Sequence, residues 1–255
     1  MTLLNFVACS APGVTLWLGG DVHLGDGGAP VLFHEGGIGI VNLEGPVGAA
    51  VDPPRLHNAA TALPQLRDAG VRVVGVVNNH AGDFPGDLDA IASAGLVPAG
   101  MAILEEGGLR IVVTAHDLPH EGLASELRDA KARGDVLVST FHVTGPPSYL
   151  PRPELEQAVA IALAAGADVI AAHGTHVVGP VERRDGAVIA WGLGNLAFQC
   201  RCTDETDAIL LRVHLPDLRA EIVPIEAGLN GRPARLSPDP EGVFRLLEAI
   251  GSTPL

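Results

Sequence analysis

Continuous apolar runs of strand length recur along this chain, and each one ends in a polar loop. The run VRVVGVV at residues 71–77 precedes NNHAGD, and ADVIAA at 167–172 precedes HGTH. A strand that is buried on both faces of a parallel sheet has this continuous apolar pattern. Ala-rich segments separate several runs, and the clearest one begins near Pro153 and ends at Gly166, as a helix does. The alternation predicts an α/β fold with at least one largely parallel sheet.

The pattern changes in the last part of the chain, where strand-like segments follow one another without helices between them. They occupy residues 187–195, 207–215 and 219–228, and a final helix is expected at about 241–250. We find no linker, repeat or low-complexity segment, and 255 residues suit one large domain. We therefore expect a single domain over residues 1–255.

Composition excludes several classes of function. A hydrophobic content of 47% with 18% charged residues argues against disorder. The formal net charge of −14, without a basic stripe, argues against binding to nucleic acid or to an anionic membrane. The apolar runs are too short to cross a bilayer, so no membrane partner is expected. The sequence does not indicate the oligomeric state.

The three cysteines do not form a disulfide framework. Cys200 and Cys202 have one residue between them, which is not the spacing of a zinc knuckle or of a thioredoxin motif. We expect them to be ordinary free thiols in a cytoplasmic protein.

Residues that can bind metal ions recur where the apolar runs stop. In α/β sheets, the loops beyond the carboxyl ends of the strands converge in space. The best candidate ligands there are Asp21, His23, Glu44, Asn79, His142, His173 and His176. Imidazole, carboxylate and amide groups together suit first-row metals such as manganese, iron or zinc. Seven ligands exceed the needs of one tetrahedral ion, so the set predicts two ions that share a carboxylate.

The order of the motifs adds a specific resemblance. GDVH, NLEG, NNHAGD, a lone histidine after a strand and HGTH resemble motifs of the calcineurin-like metallophosphoesterase superfamily. The blocks NLEGPV, VVNNHAGD, AGADVIAAHGTHVVGPVE and GLGNLAF are more closely similar to poly-γ-glutamate capsule-biosynthesis proteins of the CapA type. The resemblance covers roughly residues 16–198. It implies a four-layer αββα sandwich of the metallo-dependent phosphatase type, with metal ions at the edge of two central sheets.

The resemblance also implies roles for single residues. The first ion would be bound by Asp21, His23, Glu44 and His176. Glu44 would bridge to a second ion, which would also be bound by Asn79, His142 and His173. His80 would be the general acid or a donor to the substrate, because an imidazole titrates near neutral pH, and Asp83 could orient it. Asn78 is expected to be structural, and Asn195 matches a family position near the site.

Three functions follow from these residues together with the resemblance to CapA-type proteins, which implies the γ-glutamyl substrate class of the second. The first is a phosphoesterase acting on a small anionic substrate, in which a metal-bridging hydroxide attacks phosphorus. The second keeps the metal site but cleaves a γ-glutamyl or other amide substrate. The third is a non-catalytic accessory protein of polymer or natural-product biosynthesis, for which an incomplete metal site is expected.

The remaining histidines have no motif support, and we expect them to be ordinary. They are His34, His57, His116, His120 and His214. His116 and His120 stand four residues apart in HDLPH, but Pro119 prevents a regular helix that would place both on one face.

Overall fold

Two β-sheets packed face to face form the centre of the computed structural model, which describes residues 13–27 and 35–255. The strands are β1 Val14–His23, β2 Ile38–Leu43, β3 Val71–Gly75, β4 Val97–Ala99, β5 Met101–Glu106, β6 Leu109–Leu118, β7 Val136–Val143, β8 Val169–His173, β9 Val181–Arg184, β10 Ala187–Ala190, β11 Asn195–Phe198, β12 Asp207–Leu215, β13 Arg219–Glu226, β14 Gly228–Leu229 and β15 Arg235–Leu236. The helices are a short 3-10 helix at Ala60–Ala62, α1 Pro64–Asp68, α2 Leu88–Ser93, α3 Leu123–Lys131, α4 Pro153–Ala165 and α5 Pro240–Ala249.

Each sheet has a parallel centre. The larger sheet runs β15-β13-β12-β1-β2-β3-β4, with β11 pairing β1 and β14, and its strands β1 to β4 are parallel. The smaller sheet runs β5-β6-β7-β8-β10-β9, with β6, β7, β8 and β10 parallel. The carboxyl ends of the parallel strands are therefore the place where the polar loops of each sheet collect.

Three apolar layers hold the sheets and helices together. Leu18 and Ile40 of the larger sheet pack in one cluster with Val113 and Val138 of the smaller sheet. On the outer face of the larger sheet, α1 and α2 contribute buried side chains such as Leu66 and Ile91. The outer face of the smaller sheet is covered by α3 and α4, with Leu127 and Val159 buried there. The predicted four-layer αββα sandwich is confirmed.

Several element predictions need correction. The segment 187–195 is not one strand: β10 ends at Ala190 in the smaller sheet, and β11 begins at Asn195 in the larger one. Gly192 and Gly194 lie in the crossing between them, where an added Cβ would meet backbone within 3 Å. The strands β4 and β5 and the helix α3 were not predicted. In β5, buried and exposed residues alternate, which differs from the continuous apolar runs used as the signal.

The prediction of free thiols at Cys200 and Cys202 is wrong. The two residues form a disulfide, because the local turn brings their Cα atoms to 5.1 Å.

No helix in the described ranges is long and apolar enough to cross a membrane.

Candidate metal centre

The carboxyl ends of β1, β2, β7 and β8 bring a group of buried polar side chains together. Asp21 lies near the end of β1, Glu44 directly follows β2, His142 lies near the end of β7 and His173 ends β8. Each of these four residues is at most 4% exposed. Charged and polar groups buried to this extent require partners or a bound ion.

Asp21 is the centre of this group. Its Oδ1 accepts a hydrogen bond from Asn42 Nδ2 at 3.0 Å, and its Oδ2 accepts one from the Gly174 amide at 2.9 Å. The Nδ1 atoms of His173 and His176 lie 3.4 Å from Oδ1 and Oδ2, respectively. Burial by itself raises the pKa of Asp21, but the nearby rings of His173 and His176 outweigh burial and hold the pKa well below its usual range. Asp21 is therefore a carboxylate that attracts cations.

Glu44 and Asp117 hold His142 between them. Nε2 of His142 lies 3.5 Å from Glu44 Oε1, and Nδ1 lies 2.8 Å from Asp117 Oδ1. Burial lowers the pKa of His142, but the interactions with Asp117 and Glu44 outweigh burial and raise it to about 9. This position therefore stabilises positive charge, as a cation site must.

Sequence reasoning missed Asp117. It lies in β6 directly beside His142 in the parallel register of β6 and β7. The available signal was its place at the end of an apolar run, shared with the predicted ligands. A carboxylate that fixes the far nitrogen of a histidine leaves the other nitrogen to face a metal.

His176 is held in an uncommon backbone conformation by Asn195. The φ angle of His176 is 57°, in the left-handed region that non-glycine residues seldom adopt. Asn195 Oδ1 lies 3.0 Å from His176 Nδ1, and Asn195 Nδ2 donates to the His176 carbonyl at 3.3 Å. Asn195 therefore contacts both the ring and the backbone of His176.

Gly174 allows the loop after β8 to approach β7. Its φ angle is +77°, and a Cβ added there would lie 2.6 Å from His142 Nε2 and would also collide with the Val143 carbonyl. A side chain at this position would occupy the space next to the imidazole, so glycine is required both by conformation and by proximity.

His23 is buried beside this group. Its Nε2 accepts a hydrogen bond from the His57 amide at 3.3 Å, and its ring lies 5.6 Å from that of Phe198. Burial, together with the charge of His57, lowers the pKa of His23 to about 4. The ring is therefore neutral near pH 7, which is the form that binds metals.

The loop after β3 places its two asparagines differently. Asn78 is buried and donates to Asn42 Oδ1 at 3.2 Å and to the Leu43 carbonyl at 2.9 Å, whereas Asn79 is exposed. His80 is partly exposed, and its Nδ1 lies 2.9 Å from Asp83 Oδ2. Asn78 is thus linked through Asn42 to Asp21, while the assignment of Asn79 as a ligand stays a prediction.

The residues in the buried group fit a metal ion. Asp21, Glu44 and His176 each offer a ligand atom, and these atoms lie within 4.8 Å of one another. Three buried atoms here make no hydrogen bond within the described part of the chain: Glu44 Oε1, His23 Nδ1 and His173 Nδ1. Nitrogen and oxygen atoms that make no hydrogen bond within one buried group are available to bind a first-row divalent ion. Of the remaining histidines, His34 lies outside the described residues.

Comparison with known proteins agrees with the motifs. A family model described as bacterial capsule synthesis protein PGA_cap matches residues 105–200. The PGA biosynthesis protein CapA of Bacillus subtilis (strain 168) is 32% identical over 103 residues, which are 39% of this chain. The chain resembles CapA-type proteins. The matched family segment contains His142, His173, His176 and Asn195, whereas Asp21 precedes it. This chain spans only 27% of the Bacillus CapA protein.

Solved structures share the fold. A hypothetical protein from Thermus thermophilus has a TM-score of 0.56 at 15% identity, covering 88% of this chain and 100% of that one. A novel phosphatase from Mycoplasma pneumoniae has a TM-score of 0.55 at 15% identity, covering 93% of this chain and 100% of that one. At this identity the likeness establishes the common αββα architecture.

Proposed function

We propose that this chain is a metal-dependent hydrolase of phosphoesters that uses two first-row ions, such as manganese, iron or zinc. The proposal depends on one observation: Asp21, Glu44, His142, His173 and His176 are gathered where the two sheets end, and some of their buried polar atoms make no hydrogen bond among the described residues. A purely structural zinc site normally uses cysteines, and this group has none.

The bound ions would supply Lewis acidity, which activates a water molecule and neutralises charge on the phosphoryl oxygens. The side chains of the protein supply the charge and the orientation that bind the ions. Asp21 and Glu44 supply negative charge in a buried environment, where electrostatic interactions are strong. Asp117 contacts Nδ1 of His142 and so fixes the ring, with Nε2 of His142 directed towards Glu44.

His80 is the proposed general acid. With its Nδ1 paired to Asp83, Nε2 is the nitrogen that exchanges a proton with the substrate. The His80 side chain is 33% exposed, so a substrate in solution has access to it. Protonation of the leaving group from this position would complete the hydrolysis.

The comparisons support the general class of this proposal. The proteins that this chain resembles are named for capsule synthesis, for PGA biosynthesis and, among the structures that share its fold, as a phosphatase, which supports a hydrolase-like function. The choice of a phosphoester is our inference from the two carboxylates and the histidines at the site.

The test begins with protein prepared without chelator or nickel affinity chromatography. We expect about two equivalents of first-row metal per chain and hydrolysis of phosphomonoesters or phosphodiesters when manganese is added. Asp21→Asn and His142→Ala should each lose metal and at least about 100-fold of the activity. His214→Ala is the matched control, because His214 lies on β12, where it contacts Thr15 and Glu221. Wild-type activity in a folded, metal-free Asp21→Asn variant would reject the proposal.

A γ-glutamyl substrate is the second candidate, favoured by the match to a PGA biosynthesis protein and by a family segment that includes three of the predicted ligands. The same preparation assayed on γ-glutamyl peptides separates the two. Activity on the peptides alone would replace the phosphoester with an amide. No metal uptake from manganese, zinc or iron, with one stoichiometric protein partner in a pull-down, would instead favour a non-catalytic accessory protein.

A further inference from the structure

A second group of metal-binding side chains lies on the other face of the smaller sheet. His116 and Asp117 are neighbours in β6, so their side chains point to opposite faces. Asp117 contacts His142 in the candidate centre, whereas the ring of His116 stacks on Phe141 at 5.9 Å, on the face covered by α3 and α4. The two groups are thus separated by the sheet itself.

The second group consists of two histidines and a glutamate. His116 is in β6, His120 follows that strand, and Glu126 lies in α3. Nε2 of His120 lies 3.0 Å from Glu126 Oε2, and Nδ1 of His116 lies 3.6 Å from the same oxygen. All three residues offer ligand atoms within 4.8 Å of one another. Pro119, which excludes a helical arrangement, does not prevent this one, because strand and loop geometry bring the two rings to 4.9 Å.

The distances match the geometry of a tetrahedral ion. Bonds of about 2.0–2.2 Å from zinc to nitrogen and oxygen place neighbouring ligands roughly 3.3 Å apart. The two measured separations, 3.0 and 3.6 Å, lie on either side of that value. Two histidines and one glutamate are also a set that zinc accepts with a position left open.

An ordinary ion pair between His120 and Glu126 does not explain the environment of His116. The residue is 5% exposed, and its Nε2 is buried without a hydrogen-bond partner in the described ranges. The 3.6 Å between its Nδ1 and Glu126 is longer than a hydrogen bond. The ring nitrogen of this buried histidine that faces Glu126 therefore has no hydrogen bond to any residue that the structure describes, and it is the atom that can bind an ion held between the three side chains.

A cavity of about 350 Å³ gives access to this group. His116, His120 and Glu126 contribute to its lining, together with Asp129 and Arg133. An ion or its remaining water ligand can therefore enter from solvent.

We propose that His116, His120 and Glu126 form a second metal site, which binds one divalent first-row ion of the zinc type and joins β6 to α3. The site is independent of the hydrolase centre. It would stabilise the outer face of the smaller sheet, because an ion that binds only the folded chain shifts the folding equilibrium.

The test compares Glu126→Gln with Glu121→Gln. Both replace a solvent-exposed glutamate near the same helix, but only Glu126 faces the two histidines. Chelator-treated proteins are titrated with Zn²⁺ by calorimetry, and metal content is measured after dialysis. We expect Glu126→Gln to bind one equivalent fewer than wild type, and to lose the part of the zinc-dependent rise in Tm that this site supplies. Glu121→Gln should match wild type.

His120→Gln provides a second variant at a partly exposed position, which limits damage to the core. It should weaken binding of the same equivalent by at least about 100-fold. Both variants should retain the metal in the candidate centre and the hydrolase activity, so failure here differs from failure of the proposed function. Zinc stoichiometry and affinity equal to wild type in Glu126→Gln and His120→Gln would overturn the proposal. That result would mean that His120 and Glu126 form an ordinary salt bridge beside the stacked ring of His116.

Discussion

Oδ1 of Asp117 lies 2.8 Å from Nδ1 of His142, and the two residues are direct neighbours in the parallel register of β6 and β7. The hydrogen bond determines which nitrogen of His142 is directed towards Glu44. The sequence predicted His142 as a ligand but did not predict Asp117. Substitution of Asp117 therefore tests directly whether this hydrogen bond organises the site.

Replacing Asp117 with Asn should weaken metal binding by about 10- to 100-fold without unfolding the protein. The amide can no longer act as the charged acceptor for Nδ1 of His142. Isothermal titration with Mn²⁺ measures the effect. Asp185→Asn is the matched control, because Asp185 is exposed and has a φ angle of 51°, which asparagine tolerates. Equal affinities in the two variants would contradict the proposed role of Asp117.

Replacing Gly174 with Ala should abolish metal binding. It should also lower the free energy of unfolding by more than the unfavourable φ angle alone would. The new Cβ would lie 2.6 Å from His142 Nε2. Gly186 has a similar φ angle, +86°, but no atom within 4 Å of an added Cβ. Gly186→Ala therefore measures the conformational cost, about 1 kcal/mol, and should leave metal content unchanged. Urea denaturation and metal analysis of both variants would disprove the steric argument if they gave the same values.

Asn78 and Asn79 can be compared by alanine substitution. Asn78→Ala removes the buried amide that donates to the Leu43 carbonyl and to Asn42 Oδ1, so it should cost about 1–3 kcal/mol of unfolding free energy. Asn79→Ala removes an exposed side chain and should leave stability nearly unchanged. If Asn79 is a ligand, its variant should nevertheless bind metal more weakly. Metal titration beside thermal unfolding distinguishes these outcomes, and unchanged affinity in Asn79→Ala would remove it from the ligand set.

Asp168→Ala should destabilise the fold more than Lys131→Ala. Asp168 Oδ2 accepts hydrogen bonds from the Leu137 amide and from Lys131 Nζ, each at 2.7 Å. Loss of the carboxylate leaves the Leu137 amide without this acceptor, at a cost of about 1–2 kcal/mol. Loss of the partly exposed lysine removes a salt bridge that contributes less than about 1 kcal/mol. Denaturant unfolding of both variants gives the order, and the reverse order would refute this account.

The sequence predicted the regular elements best where local pattern and burial agree. The helix at Pro153–Ala165 has proline at its start and Gly166 at its end, and both signals act locally. The continuous apolar runs of β7 and β8 reflect burial on both faces. This pattern can be recognised without knowing which strands lie beside them. β5 was missed because its buried and exposed residues alternate, whereas the signal used was a continuous apolar run.

At the candidate metal centre, too, the sequence predicted some features and missed others. Sequence alone selected Asp21, Glu44, His142, His173 and His176, because each lies at or just beyond the end of an apolar run and chain direction places such ends at one edge of a sheet. It did not identify Asp117 as the partner of His142, nor the approach of Gly174 to His142. It also set His116 and His120 aside, since Pro119 excludes a helix.

Tertiary structure decided these points because each depends on the register and separation of elements distant in the chain. Asp117 pairs with His142 across 25 residues, and Glu126 reaches His116 only because α3 packs back on β6. The sequence predicted which residues are candidates for a metal site and at which sheet edge most of them collect. Strand register, loop conformation and helix packing determined which of these residues are in contact. The distances between residues on different elements depend on how those elements pack against one another.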